Sequence, residues 1–306
     1  MSWLCLGAMS SEAVALPETL SWSEVEIPDR PPTNPDLLLR GGRLFARYCA
    51  VCHGEAGEGN GVCAELLQPQ PRDMTVGVYR FKSTTGSELA TDQDLYRSVT
   101  VGLNGTSMPP FSSLLSGEER WAVVSFVTTL SPRFARAEPG VSIDLGQAPE
   151  SPSQEQLDRG QKLFSLLRCT ECHGEGGLGD GPSSGTLVDS SGQSISPRDL
   201  TRSGDFKRGH NARDIALAIA TGLPGTPMPA YDAALEFDDL WALAAFVQSL
   251  ADARRMAGTE NLAGRADTAP EAGRFRVDET SPCYREAGRN RVLEGLMVVE
   301  PSGESD

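Results

Sequence analysis

One stretch of this chain is written twice, and the duplication dictates the architecture. Cys49-Ala-Val-Cys52-His53 returns 120 residues later as Cys169-Thr-Glu-Cys172-His173, and the same interval relates Asp94 to Asp214, Met108 to Met228, Trp121 to Trp241 and Phe126 to Phe246. Pro71-Arg72-Asp73 recurs as Pro197-Arg198-Asp199 and Phe81-Lys82 as Phe206-Lys207, at intervals of 126 and 125. The second copy therefore carries a longer loop after its Cys-x-x-Cys-His motif and a shorter one before its next helix. Repetition over such a length means one folding unit used twice.

The motif itself points to covalent attachment of a c-type haem. Two thiols three positions apart match the two vinyl groups of one porphyrin, and the next residue brings an imidazole to the iron. Two motifs imply two covalently bound haems, each a redox centre. The rival reading is zinc, which in a structural site needs four ligands and hence a second pair. Cys5, Cys63 and Cys283 are isolated thiols and His210 is the remaining histidine, so no local window supplies that pair.

Downstream of each motif lies a shared frame, Gly102-Leu-Asn-Gly105-Thr-Ser-Met108-Pro109 and Gly222-Leu-Pro-Gly225-Thr-Pro-Met228-Pro229. His53 precedes Met108 by 55 residues, and His173 precedes Met228 by the same 55. A thioether is a soft ligand suited to haem iron opposite an imidazole, and it raises the reduction potential. Core filling is the usual employment of methionine, but here position and frame repeat together.

The rest of each copy reads as helix. Asn34-Pro35 is a cap with proline at the first helical position, leading into Leu37, Leu38, Gly41, Leu44, Phe45 and Tyr48. Ser153-Gln-Glu-Gln156 is a capping box in the second copy. Helices are also expected from Asp92 to Val101, from Asp214 to Ala220, after the cap at Ser116, and through Leu240, Trp241, Leu243, Phe246, Val247 and Leu250. No segment shows clear strand alternation, so the expected fold class is all-α.

Each half resembles a class I cytochrome c domain: a first helix ending in the haem motif, a glycine-rich loop, a helix, a Met-Pro ligand loop and a final aromatic-bearing helix that packs across the first. The resemblance covers residues 35–133 and 153–251, joined by a linker at 134–152, with an N-terminal extension at 16–34 and a C-terminal one at 252–306. It implies a haem-wrapping bundle of three to five helices per copy, with His53 and His173 as proximal ligands and Met108 and Met228 as distal ligands. It also implies an electron-transfer protein rather than an enzyme, working as a free carrier or as the relay subunit of an oxidoreductase or respiratory complex. The alternative class is a diheme enzyme, such as a peroxidase or a thiosulfate-oxidising cytochrome. Such an enzyme needs an open or unusually ligated iron, whereas each half carries its own methionine.

Arg72 and Arg198 are candidate partners for the haem propionates, since guanidinium pairs bidentately with carboxylate; an Arg–Asp pair that fixes a loop is the competing reading. Cys63 stands where the second copy has Ser183, and His210, with no equivalent in the first copy, is expected to be a solvated loop residue.

Formal charge is −15, from 27 basic and 42 acidic residues, which argues against nucleic acid as a partner. Residues 35–133 carry nine basic and ten acidic groups, net −1, and residues 153–251 carry eight and thirteen, net −5. The acidity is thus mostly peripheral. Redox proteins, either a membrane respiratory complex or a periplasmic oxidoreductase, are the expected partners. Covalent haem attachment implies maturation outside the cytoplasm. Residues 1–15 read as a weak or truncated signal peptide ending at Ala13-Val-Ala15, and no apolar run reaches the roughly 18 residues of a membrane span. With the leader removed, Cys63 and Cys283 remain as non-haem thiols. In an oxidising compartment such a pair invites a disulfide that would pin the irregular acidic tail to the first haem domain.

Overall fold

A computed structural model describes residues 21–138, 140–259, 275–278, 281–287 and 297–300; the leader expected at 1–15 lies outside them. Helices α1 (Pro35–Tyr48), α2 (Ala50–His53), α3 (Asp92–Val101), α4 (Gly117–Thr129) and α5 (Pro132–Arg136) build the first copy. The second copy consists of α6 (Gln154–Leu166), α7 (Thr170–His173), α8 (Ala212–Thr221) and α9 (Phe237–Thr259). The class is all-α, as the sequence implies. One small exception lies in the tail, where β1 (Phe275–Asp278), α10 (Pro282–Ala287) and β2 (Met297–Glu300) place two short strands in parallel. The tail is therefore less irregular than its composition suggests.

Helix starts follow local chemistry. The Asn34 side chain accepts from the Leu37 amide at the head of α1, and capping boxes close the starts of α3, α4 and α6 at Thr91, Ser116 and Ser153. The first and last long helices of each copy then cross at a glycine. A methyl group on Gly41 would collide with the Ala122 carbonyl of α4 and lie 2.9 Å from Phe126 Cβ; on Gly160 it would collide with the Ala242 carbonyl of α9 and lie 2.7 Å from Phe246 Cβ. This close approach lets Phe45 meet Phe126 at 5.3 Å between ring centroids, and Phe164 meet Phe246 at 5.5 Å. Substituting Gly160 by alanine is expected to cost about 1–3 kcal/mol through overpacking and to lower the melting temperature of the loaded protein. An unchanged melting curve would show that the crossing tolerates a methyl group.

Gly41 and Gly160, like Phe45 and Phe164, are 119 residues apart, whereas the motif cysteines are 120 apart. The second copy thus has one extra residue before its motif, and Arg168 absorbs it with φ 61°, the chain's one described non-glycine residue in the left-handed region.

The connectors do more than space the copies. Pro28 of the N-terminal segment accepts from Trp121 Nε1 at 3.0 Å, and Leu145 of the linker accepts from Trp241 Nε1 at 3.1 Å, so each copy is closed by the segment that precedes it. Trp22 crosses over: it lies in the core of the second copy, while its indole N–H donates to Ser98 Oγ on α3.

Asp94 and Asp214, at the third position of α3 and α8, are both buried. Asp94 accepts from the Ser83 amide and hydroxyl and from the Thr91 amide. The residue matching Ser83 in the second copy is Arg208, and Asp214 is supplied instead by the Ser21 hydroxyl and the Ser23 amide of the N-terminal segment.

Arg80 and Asp189 pair across the two copies, with Nη2 to Oδ2 at 2.6 Å. Burial alone would push the Asp189 carboxyl up, but donors from Ser191, Arg80 and Gln193 override it and hold the group at about 2. A carboxyl depressed in the fold contributes stability above its unfolded value of about 4 and loses it as pH falls toward about 2. Melting temperature is therefore expected to drop across that window, and the drop should be shallower in Asp189→Asn. Parallel curves for the two proteins would contradict this assignment.

Candidate haem-binding sites

The two motif histidines are held alike. His53 Nδ1 lies 3.1 Å from the Arg72 carbonyl oxygen and His173 Nδ1 lies 3.0 Å from that of Arg198. A carbonyl can only accept, so Nδ1 carries the proton and Nε2 is left with its lone pair for a metal. Burial lowers the pKa of both imidazoles, favouring the neutral ring that ligation requires. The backbone of the Pro-Arg-Asp stretch thus has a role that sequence reading, focused on its side chains, did not assign. Asp73 and Asp199 shape that stretch by accepting from the amide and hydroxyl of Thr75 and Thr201.

The methionine loops are cinched by one threonine each. Thr106 Oγ1 donates to the Leu103 carbonyl at 2.7 Å and accepts from the Met108 amide at 3.1 Å; Thr226 does the same between Leu223 and Met228 at 2.8 and 3.2 Å. The Leu103 and Leu223 amides close each loop on the carbonyls of Met108 and Met228. Gly102 and Gly222, at φ 68° and 62°, start the loops, and a side chain on either would strike the Met-Pro backbone. Threonine and glycine recur in the frame because the turn needs them.

A continuous cavity of about 790 Å³ reaches both copies, and Cys49, Cys52, His53, Met108, Cys169, Cys172, His173 and Met228 all line it. Around them stand apolar walls from Phe45, Val124 and Val127 in one copy and from Phe164, Ile219 and Val247 in the other. Burial pushes the Cys49 thiol up to about 12 and those of Cys52 and Cys169 to about 11. Among the described residues no cluster of three or more His, Cys, Asp or Glu side chains is placed to hold a metal ion. Two thiols, an imidazole held through Nδ1, a thioether and an apolar slot in each copy fit a covalently attached porphyrin.

Arg72 and Arg198 also line the cavity, as do Arg80, Arg168, Lys207 and Arg208. In a chain of net charge −15, this lining carries six basic side chains and one acidic, Asp214. Burial lowers the Arg72 guanidinium to about 10 and, with Arg198 and Arg80 nearby, the Lys207 ammonium to about 7. Such a wall is built for anions. His210 is exposed and is not among the residues that line the cavity.

Cys63 and Cys283 form a disulfide with their Cα atoms 4.8 Å apart. Around it Val51, Leu67 and Val277 are buried together, with Cys52, Tyr284 and Met297 packed against them. The tail therefore covers the attachment peptide of the first copy. Its counterparts in the second copy, Glu171, Ser183 and Leu187, are partly exposed.

Comparison with known proteins matches both copies to cytochrome family models. Residues 157–251 match the family model for cytochrome c, and residues 36–127 match that for subunit III of cbb3-type cytochrome c oxidase. The chain is similar to one in the reducing HAO-like protein complex of Kuenenia stuttgartiensis, with 38% identity and a TM-score of 0.67, over 74% of this chain and 99% of that one. The chain belongs to the tandem, diheme class I cytochrome c family. It carries covalently bound haem c and has a haem-based electron-transfer role. Among the described residues no helix is long and apolar enough to cross a membrane.

Proposed function

We propose that the protein is a two-haem electron relay, with His53 and Met108 holding one iron and His173 and Met228 the other. The observation that carries this reading is the continuous cavity that contains both motifs and both methionines. When bound, haem c supplies a one-electron iron couple. The protein's part is positional. The Arg72 and Arg198 carbonyls fix the imidazoles, Thr106 and Thr226 hold the methionine loops, and the apolar walls exclude water from the rings. In this reading the Arg72 and Arg198 side chains pair with propionates. Neither has a hydrogen-bond or ion-pair partner in the protein among the described residues.

The same ligand set argues against a diheme enzyme. Each copy brings its own methionine into the cavity, and the two described thiols outside the motifs are tied together in the disulfide. The protein works outside the cytoplasm, in the periplasm, where haem is attached and a disulfide persists. By its likeness to a chain of a reducing HAO-like complex, it acts as the relay subunit of such an oxidoreductase and passes electrons between that enzyme and a respiratory partner. The test is the oxidised spectrum of the purified, loaded protein with hydrogen peroxide as a challenge. Low-spin signals from both haems and no peroxide turnover are expected; a high-spin haem that consumes peroxide would favour the enzyme.

A further inference from the structure

The repeat breaks within one short stretch, and the breaks meet between the copies. Arg80-Phe81-Lys82-Ser83 of the first copy corresponds to Asp205-Phe206-Lys207-Arg208 of the second. Lys82 is fully engaged: its ammonium donates to Thr84 Oγ1 and to the carbonyls of Thr85, Gly86 and Glu88, all at 2.8–3.0 Å. The Lys207 ammonium has no hydrogen-bond or ion-pair partner among the described residues, and the residue lines the cavity instead.

Arg208 is only 4% exposed. Its Nη2 donates to the carbonyls of Arg80 and Lys82 at 3.2 and 3.0 Å in the first copy and to Thr221 Oγ1 at 3.3 Å in the second. Its guanidinium sits over Trp22 and Phe81 at 5.3 and 5.6 Å. Nε and Nη1 are left buried and unpartnered. Arg80, anchored to Asp189 through Nη2, likewise keeps a buried, unpartnered Nε. Buried donors without acceptors are costly and rare. Several of them on a cationic wall call for acceptors that arrive with a ligand. Nearby Asp94 and Asp214 do not hydrogen-bond to Arg208, and their oxygens are occupied by Ser83, Thr91, Ser21 and Ser23.

We infer that Arg80, Lys207 and Arg208 form one carboxylate seat between the copies, taking a propionate from each haem and so coupling the two redox centres. The seat adjoins Arg72, which lies near Arg80, and Arg198, which lies near Lys207, and it rests on the two-haem reading above. Its cations come from both copies, so a carboxylate held there is fixed relative to both.

The test is potentiometric titration of loaded Lys207→Gln and Arg208→Gln proteins, after haem per chain has been counted in the wild type. Fewer than two haems in the wild type would sink the two-haem reading itself, before the seat is at issue. With two haems present, each variant is expected to shift both midpoint potentials downward, because removing a cation favours the more positive, oxidised state. Arg208→Lys should recover part of that shift. Lys207→Gln breaks no side-chain hydrogen bond or ion pair among the described residues, so it reports even if Arg208→Gln fails to fold. A crystal structure of the loaded protein should show a carboxylate from each ring within about 3 Å of one of these cations. Midpoints that move in one haem only or in neither, or propionates turned away from all three residues, would overturn the shared seat.

Discussion

Replacing Met108 by histidine is expected to lower the potential of the first haem by on the order of 100 mV or more and to leave the second nearly unchanged. A thioether is a poor donor to ferric iron and so favours the reduced state, whereas a second imidazole stabilises the oxidised one. The two side chains are both neutral, so the change reaches the second haem by no direct charge effect. The loop that carries Met108 is tied by Thr106 and closed by the Leu103 amide, so its backbone keeps its place when the ligand changes. Spectroelectrochemistry that resolves the two haems measures the effect. Equal movement of both potentials would show that Met108 does not belong to the first motif alone.

Substituting Cys283 by serine is expected to cost about 2–4 kcal/mol and to release the tail from the first copy. The disulfide spans 220 residues of chain, and closing so long a loop removes much freedom from the unfolded state. The native state loses packing too: Val277 at 2% exposure and Val51 at 8% are buried against one another's cluster, and both would meet water. Val51 lies inside the Cys-x-x-Cys-His motif, so the effect should fall on the first haem and spare the second. Calorimetry of the loaded protein should show a lower transition, and limited proteolysis should cut near residues 275–287 in the variant first. An unchanged transition with an equally protected tail would show that the disulfide contributes little.

Much of this architecture is written in local chemistry. The caps at Asn34, Ser116 and Ser153, the glycine-bounded methionine loops and the helix-spaced aromatic residues each follow from neighbours a few positions away, and they repeat. What sequence could not supply is contact between distant segments. Arg72 and Arg198 are legible as candidate propionate partners, but not as the carbonyls that orient His53 and His173, because backbone groups leave no mark in residue identity. The partnership of Ser21 and Ser23 with Asp214 is equally hidden, although one clue existed: Arg208 stands where the first copy has Ser83. The covering of the first motif by the tail had a similar signal in Val51 opposite Glu171, an apolar residue where the second copy is charged. The strands at 275–278 and 297–300 are too short for alternation to reveal.

The most direct test of two closed His/Met centres counts methionine-to-iron charge-transfer intensity per chain in the oxidised protein. Two equivalents are expected in the wild type, and one equivalent in each of the Met108→Leu and Met228→Leu proteins. A wild-type protein with one equivalent or none, or a leucine variant that leaves the intensity unchanged, would contradict this expectation.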